Sequence, residues 1–185
     1  SNNLNTNRNQ SFSCNASTNN YLTNATFYLW NSSGVETSIL KNISGTANST
    51  TFSYNFSKEG AYSWNCFFEN NLTNNNFASS NYSLTYDLTR PSINVTSPLN
   101  NSWVNNGRFN VSLNENGSCI YSLDFGINNL SMSSKDNVNL NASNLTLLQG
   151  QGYNVSYYCN DSAGNLNLDL RSFNVDLTKP NVSLI

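Results

Sequence analysis

Not one histidine occurs in these 185 residues. That absence excludes His-based triads, His general bases and His metal sites. Charge is nearly as scarce. The 8 Lys plus Arg and 10 Asp plus Glu make up 10% of the chain, with net charge −2, against a usual share of about 25%. Without a basic patch, nucleic acid is not an expected partner. The ten acids, Glu36, Glu59, Glu69, Asp87, Glu115, Asp124, Asp136, Asp161, Asp169 and Asp176, are scattered. None forms a close sequence pair of the kind glycosidases use, which leaves only pairs made in space. No Gly-rich phosphate loop appears. We therefore expect no enzyme, no cofactor and no resident metal. No apolar run reaches the roughly 18 residues of a membrane helix, so membrane insertion by this segment is not expected. No signal peptide stands at Ser1, which fits a mature or excised segment of a secreted chain.

What the chain has instead is asparagine. Nineteen Asn-x-Ser/Thr sequons begin at Asn9, Asn15, Asn24, Asn31, Asn42, Asn48, Asn55, Asn71, Asn81, Asn94, Asn100, Asn110, Asn116, Asn129, Asn141, Asn144, Asn154, Asn160 and Asn181. Chance placement of 40 Asn among 43 Ser plus Thr would give roughly 9 such triplets. Part of the excess follows from strand alternation, since Asn-apolar-Ser arises wherever polar slots hold only Asn, Ser and Thr. Asn55, Asn81, Asn94, Asn110, Asn154 and Asn181 sit in triplets of this form. Under either origin these asparagines point away from the core. Dense N-glycosylation would supply the hydration that so few charges cannot. Covalent N-glycans and an extracellular or cell-surface location are therefore expected. Ten Tyr and ten Phe argue against a disordered Asn-rich tract.

Four cysteines divide between the halves, Cys14 and Cys66 in the first, Cys119 and Cys159 in the second. Three pairings are formally possible, and one bridge within each half is the simplest. Four free thiols in a reducing compartment are the alternative, but sequons and cysteines together favour two disulfides in an oxidising one. A repeat sets the domain count. The run from Asp87 to Val95 recurs from Asp176 to Leu184, 89 positions on, a plausible length for one small β-domain. Gly60–Cys66 and Gly152–Cys159 also match: Trp64 aligns with Tyr157 and Tyr62 with Val155, all on the face of their cysteine. That face is expected to be core, with Tyr153 extending it. Period-2 patterns predict strands at Phe52–Phe56, Tyr82–Tyr86, Phe109–Leu113, Ile120–Phe125, Val138–Leu140, Leu145–Leu148, Leu166–Leu170 and Phe173–Val175, separated by Gly and Asn turn formers. No convincing amphipathic helix appears. An all-β chain of two tandem sandwiches follows, over residues 1–88 and 89–176, with 177–185 as a further strand.

Each half resembles an immunoglobulin-like β-sandwich domain. In the first, Cys14, Trp30 and Cys66 resemble the Cys…Trp…Cys core of that family. Trp64, not tyrosine, stands two residues before Cys66, a departure at the position of the usual tyrosine corner. The second half, from Asp87-Leu-Thr-Arg-Pro91 through Cys159-Asn-Asp161-Ser-Ala-Gly164-Asn165 to Phe173-Asn-Val-Asp176, is similar to tandem immunoglobulin-like repeats of prokaryotic surface, adhesin and filament proteins. Its Asn-rich style looks most like archaeal cell-surface proteins. The resemblance implies a hairpin at Asp161–Asn165 with positive φ at Gly164 and Asn165. It also implies that Cys119 faces Cys159 from a central strand, a bridge placed differently from the first. Trp30 and Trp64 read as core. Trp103 reads as a plug at one end of a sandwich, or as an exposed aromatic for a sugar or partner. Asp161 reads as a turn residue, or as a calcium ligand.

Residues 1–10 are polar except Leu4, so the first half is expected to lack the opening apolar strand that Ile93–Val95 gives the second. Residues 177–185, with Pro180, Val182, Leu184 and Ile185 as the contact set, read either as the start of another repeat or as a donor strand for the first domain of another copy. The second account makes a head-to-tail filament of copies of this chain. A structural subunit of a glycosylated surface filament, sheath or layer is the leading expectation. An adhesin or receptor ectodomain for a protein or carbohydrate is the alternative, with an enzyme accessory module third.

Overall fold

The computed structural model describes residues 3–144 and 146–183. No helix occurs among them, and none is long and apolar enough to cross a membrane. The chain divides into two compact units, Ser1–Leu88 and Thr89–Ile185.

The first unit has eight strands among the described residues: β1 Asn3–Asn5, β2 Asn9–Ser17, β3 Leu22–Asn31, β4 Gly34–Asn42, β5 Ala47–Asn55, β6 Gly60–Asn70, β7 Asn75–Phe77 and β8 Tyr82–Tyr86. One sheet runs β1-β8-β6-β3-β4, with β7 also paired to β6; β2 and β5 form the other. Alternation builds the core between them. Phe12 and Cys14 are buried while Ser11, Ser13 and Asn15 are exposed. On β3, Leu22 is buried at an even position, but Ala25, Phe27 and Leu29 are buried at odd ones. A register irregularity between Leu22 and Asn24 makes that switch. Phe12, Phe27, Phe52 and Phe56 fill the centre with Tyr86, and burying each such ring stabilises by about 2–3 kcal/mol.

The second unit has nine: β9 Ile93–Ser97, β10 Ser102–Val104, β11 Arg108–Leu113, β12 Gly117–Ser122, β13 Leu130–Ser131, β14 Ser133–Ser134, β15 Asn139–Ser143, β16 Gly152–Asp161 and β17 Leu166–Val175. Their sheets run β10-β17-β16-β12-β13 and β14-β15-β11-β9. The core holds Val95, Phe109, Tyr121, Val155, Tyr157 and Phe173.

The two copies of the repeated Asp-Leu-Thr motif do the same local job. The Asp87 N–H donates to Asn5 O at 3.1 Å, and the Asp176 N–H donates to Val104 O at 2.9 Å. Each thus ends the parallel pairing of a short strand, β1 on β8 and β10 on β17.

Several expectations need correction. Residues 1–10 contain a short polar strand, β1, but it pairs with β8, and no described strand takes on β2 the place that β9 takes on β11. Trp30 is not core. Phe27 and Leu29 point inward, so Tyr28 and Trp30 point outward. Phe27, in register with Cys66, takes the place expected for Trp30. Residues 146–148 are not strand, although Leu147 is buried; Leu145 lies outside the described residues. Gly164 has φ +95°, whereas Asn165 does not have a positive φ. Trp103 is 65% exposed and plugs nothing.

Candidate functional site

Both disulfides lie within a unit. Cys14 on β2 bridges to Cys66 on β6 across the two sheets, with Cα atoms 6.0 Å apart. Cys119 on β12 and Cys159 on β16 are directly opposite within one sheet, Cα atoms 4.1 Å apart, the close spacing of a cross-strand pair. All four cysteines are buried, and none is free. Trp64 packs on the first core, its ring 5.1 Å from Phe12 and 6.0 Å from Phe27.

A tyrosine corner missing from the sequence pattern reappears nearby. Tyr62 stands four residues before Cys66, and its hydroxyl donates to the O of Lys58, four residues further upstream, at 2.8 Å. In the second unit the Tyr153 hydroxyl accepts the Leu148 N–H at 2.9 Å. Both tie a strand entrance to the chain before it.

None of the nineteen sequon asparagines is buried. The buried asparagine, Asn65, belongs to no sequon, and its groups are used internally. Its Nδ2 donates to Ala78 O at 3.1 Å and to Asn81 Oδ1 at 2.7 Å, while its Oδ1 accepts the Cys66 N–H at 2.7 Å. Sequons Asn24 and Asn42 face each other across β3 and β4.

Strand edges differ between the units. In the second, β9 covers the outer edge of β11, pairing Val95 with Val111 and Ile93 with Leu113. In the first, β2 pairs with β5, and no described strand lies on its other side. A groove of about 490 Å³ follows that open side, lined by Ser13–Thr18, by Leu22, Trp64, Phe68 and Phe77, and by the polar Glu69, Asn70 and Asn74–Asn76. Of the expected interface residues, Pro180 and Val182 are exposed and not in a strand; Leu184 and Ile185 lie outside the described residues. Val182 is 83% exposed.

β17 carries an inverted pattern. Asp169 and Arg171, in register with Tyr157 and Val155, share the inner face and form an ion pair at 2.8 Å. Leu166, Leu168 and Leu170 face outward and are about half exposed. β10 pairs only with Phe173–Val175, so the part of β17 that carries these charges is an edge, where inward charge opposes edge-to-edge pairing. Burial, with Asp169 next in weight, pushes the Tyr157 hydroxyl well above the usual tyrosine range.

Asp161 braces its turn. Its Oδ1 accepts the N–H groups of Ala163, Gly164 and Asn165, and its Oδ2 accepts from Asn165 Nδ2 at 2.8 Å. The stretch 124–139 is braced similarly. Backbone donation from Asn128, then the Ser122 hydroxyl, holds Asp124 down at about 2. The Asn139 N–H does likewise for Asp136, well below the usual carboxylate range.

No protein-family model matches the chain, and no curated protein matches it. Solved structures do. The fibronectin(III)-like modules of Clostridium thermocellum CbhA align over 99% of this chain and 95% of that one, with TM-score 0.51 and 11% identity. Murine CEACAM1b aligns over 92% and 94%, at TM-score 0.44 and 12% identity. An ICAM-5 D1–D4 ectodomain fragment aligns over 91% of this chain and 50% of that one, at 0.43 and 12%. At such identity the first of these speaks for the fold alone. The fold of the chain is all-β, with immunoglobulin-like β-sandwiches of the kind those fibronectin(III)-like modules have.

Proposed function

We propose that the chain is a structural subunit of an extracellular, N-glycosylated surface filament or layer whose copies join head to tail. The observation that carries this reading is the bare edge of β2 beside its partly apolar groove, set against residues 180–184, which align with residues 91–95, the entrance to β9 and its first three residues. β9 covers the corresponding edge in the second unit. Val182 aligns with Ile93 and Leu184 with Val95, the two residues that β9 packs into the core of the second unit. A strand from another copy, laid on β2 in that register, gains a backbone ladder and apolar contacts. Asn181 aligns with the exposed Ser92, so a sugar there projects out of the joint. Two buried disulfides and nineteen unburied acceptors suit an oxidising, extracellular setting. No catalytic role is part of this reading.

The test is deletion of residues 177–185, followed by electron microscopy. Loss of ordered polymers is expected, as is capping by excess peptide of residues 178–185. Filaments that persist through both treatments overturn strand donation. A second reading, an adhesin or receptor ectodomain, draws on the outward leucines of β17. It predicts a monomer whose binding to cells is lost in Leu168→Asp.

A further inference from the structure

The outer face of the large sheet in the first unit carries a cluster of four aromatic rings joined through Tyr28 and Phe77. Tyr28 and Trp30 on β3 stack with centroids 5.6 Å apart and planes 12° apart. Phe77 on β7 lies 5.4 Å from Tyr28 and 6.2 Å from Trp30, and Phe67 on β6 lies 4.9 Å from Phe77. Cross-strand neighbours of the β3 pair are Ser38, Asn65, Val35 and Ser63, none of them charged. The Tyr28 hydroxyl and the Trp30 indole N–H make no hydrogen bond among the described residues. An uncharged aromatic floor with two free polar handles suits the apolar face and hydroxyls of a neutral sugar.

A sugar acceptor stands beside it. Asn65 is in register with Tyr28, and its buried Nδ2 holds Asn81 Oδ1 at 2.7 Å. The same Nδ2 holds the carbonyl of Ala78, next to Phe77, at 3.1 Å. The amide of the exposed Asn81 is thereby pinned by its oxygen next to the aromatic rings. Its Nδ2, the atom that carries sugar in the sequon Asn81-Tyr82-Ser83, is left without a partner among the described residues.

We propose that an N-linked, neutral glycan on Asn81 lies over the Tyr28–Trp30–Phe77 platform, and that Asn65 is the positioning residue that aims it there. This rests on the glycoprotein reading above. Attachment forms a bond from Asn81 Nδ2 to the anomeric carbon of a phosphate-activated sugar donor. The sugar–phosphate bond breaks, and one amide proton is lost to base. The attached sugar covers an apolar patch that would otherwise face water.

The test uses the chain purified from a glycosylating source. Ser83→Ala removes the sequon but keeps the Asn65–Asn81 hydrogen bond, and Ser17→Ala removes the Asn15 sequon as a control. Glycopeptide mapping reads occupancy, and the Trp30 indole N–H resonance, assigned with Trp30→Phe, reads the platform. We expect a sugar on Asn81, a shift of the Trp30 resonance in Ser83→Ala, and none in Ser17→Ala. An occupied Asn81 with an unmoved Trp30 resonance overturns the inference. So does a Trp30 resonance that depends on protein concentration instead, which would mean a second copy covers the face. A bare Asn81 among other occupied sequons overturns it too, yet leaves the glycoprotein reading standing. Sequons that are all bare overturn both.

Discussion

Asp124 accepts hydrogen bonds through both carboxylate oxygens, from Ser122 at 2.6 Å and from Asn128 at 2.8 and 2.6 Å. Those donors favour the ionised form, so its folded value near 2 lies below the ordinary 3.8. A depressed acid contributes stability above its unfolded value and loses it as pH falls through the folded one. NMR titration should therefore show the 124–128 turn intact above pH 4 and loosening toward pH 2, with Asp124→Asn abolishing that step. Phe27, fully buried against the first bridge, is the residue whose truncation should cost most. Phe27→Ala is expected to lose about 3–5 kcal/mol by denaturant unfolding. The sequence pointed instead to Trp30, because a family pattern fixes residue type before parity. Counting from Ala25 rather than from Leu22 gives the right face, but the irregularity that resets the count leaves no mark in the residues. Tyr62 shows the same limit. Its corner bond depends on where Lys58 O lies, not on a spacing from cysteine.

Among elements, alternation in β2, β5, β11 and β16 was legible because one face of each meets a core made of large apolar residues. β1 was not, since its three residues carry no alternation to read, and the leucines of β17 were read as strand without their outward direction. Only the register with Cys159, Tyr157 and Val155 reveals that Asn167, Asp169 and Arg171 take the inner face. The open edge of β2 was anticipated as a missing first strand. The structure divides that expectation in two: the place beside β8 is filled, and the place beside β2 is bare. At the entrance to β11, Gly107 donates no side chain for a steric reason. A Cβ there would lie 1.7 Å from the backbone oxygen of Asn144, whose N–H donates to Gly107 O at 2.7 Å. Gly107→Ala should lower stability by about 2 kcal/mol or more, read from the denaturant midpoint.

At the scale of the whole chain, charge is too sparse to keep a bare surface well hydrated. Intact-mass measurement before and after enzymatic deglycosylation should show a large loss of mass, and the stripped protein should precipitate at lower concentration. The Cys14→Ala/Cys66→Ala double variant is expected to lose about 2–5 kcal/mol. In the proposed filament a subunit would also be pulled, and there the bridges would act in a second way. They join residues 52 and 40 positions apart. At ~3.5 Å per extended residue, the enclosed segments amount to about 180 Å and about 140 Å of contour that tension cannot draw out while the bridges hold. A stretched, oxidised chain should therefore lengthen in two short steps, and a reducing medium should convert the same molecule into a far more extensible tether.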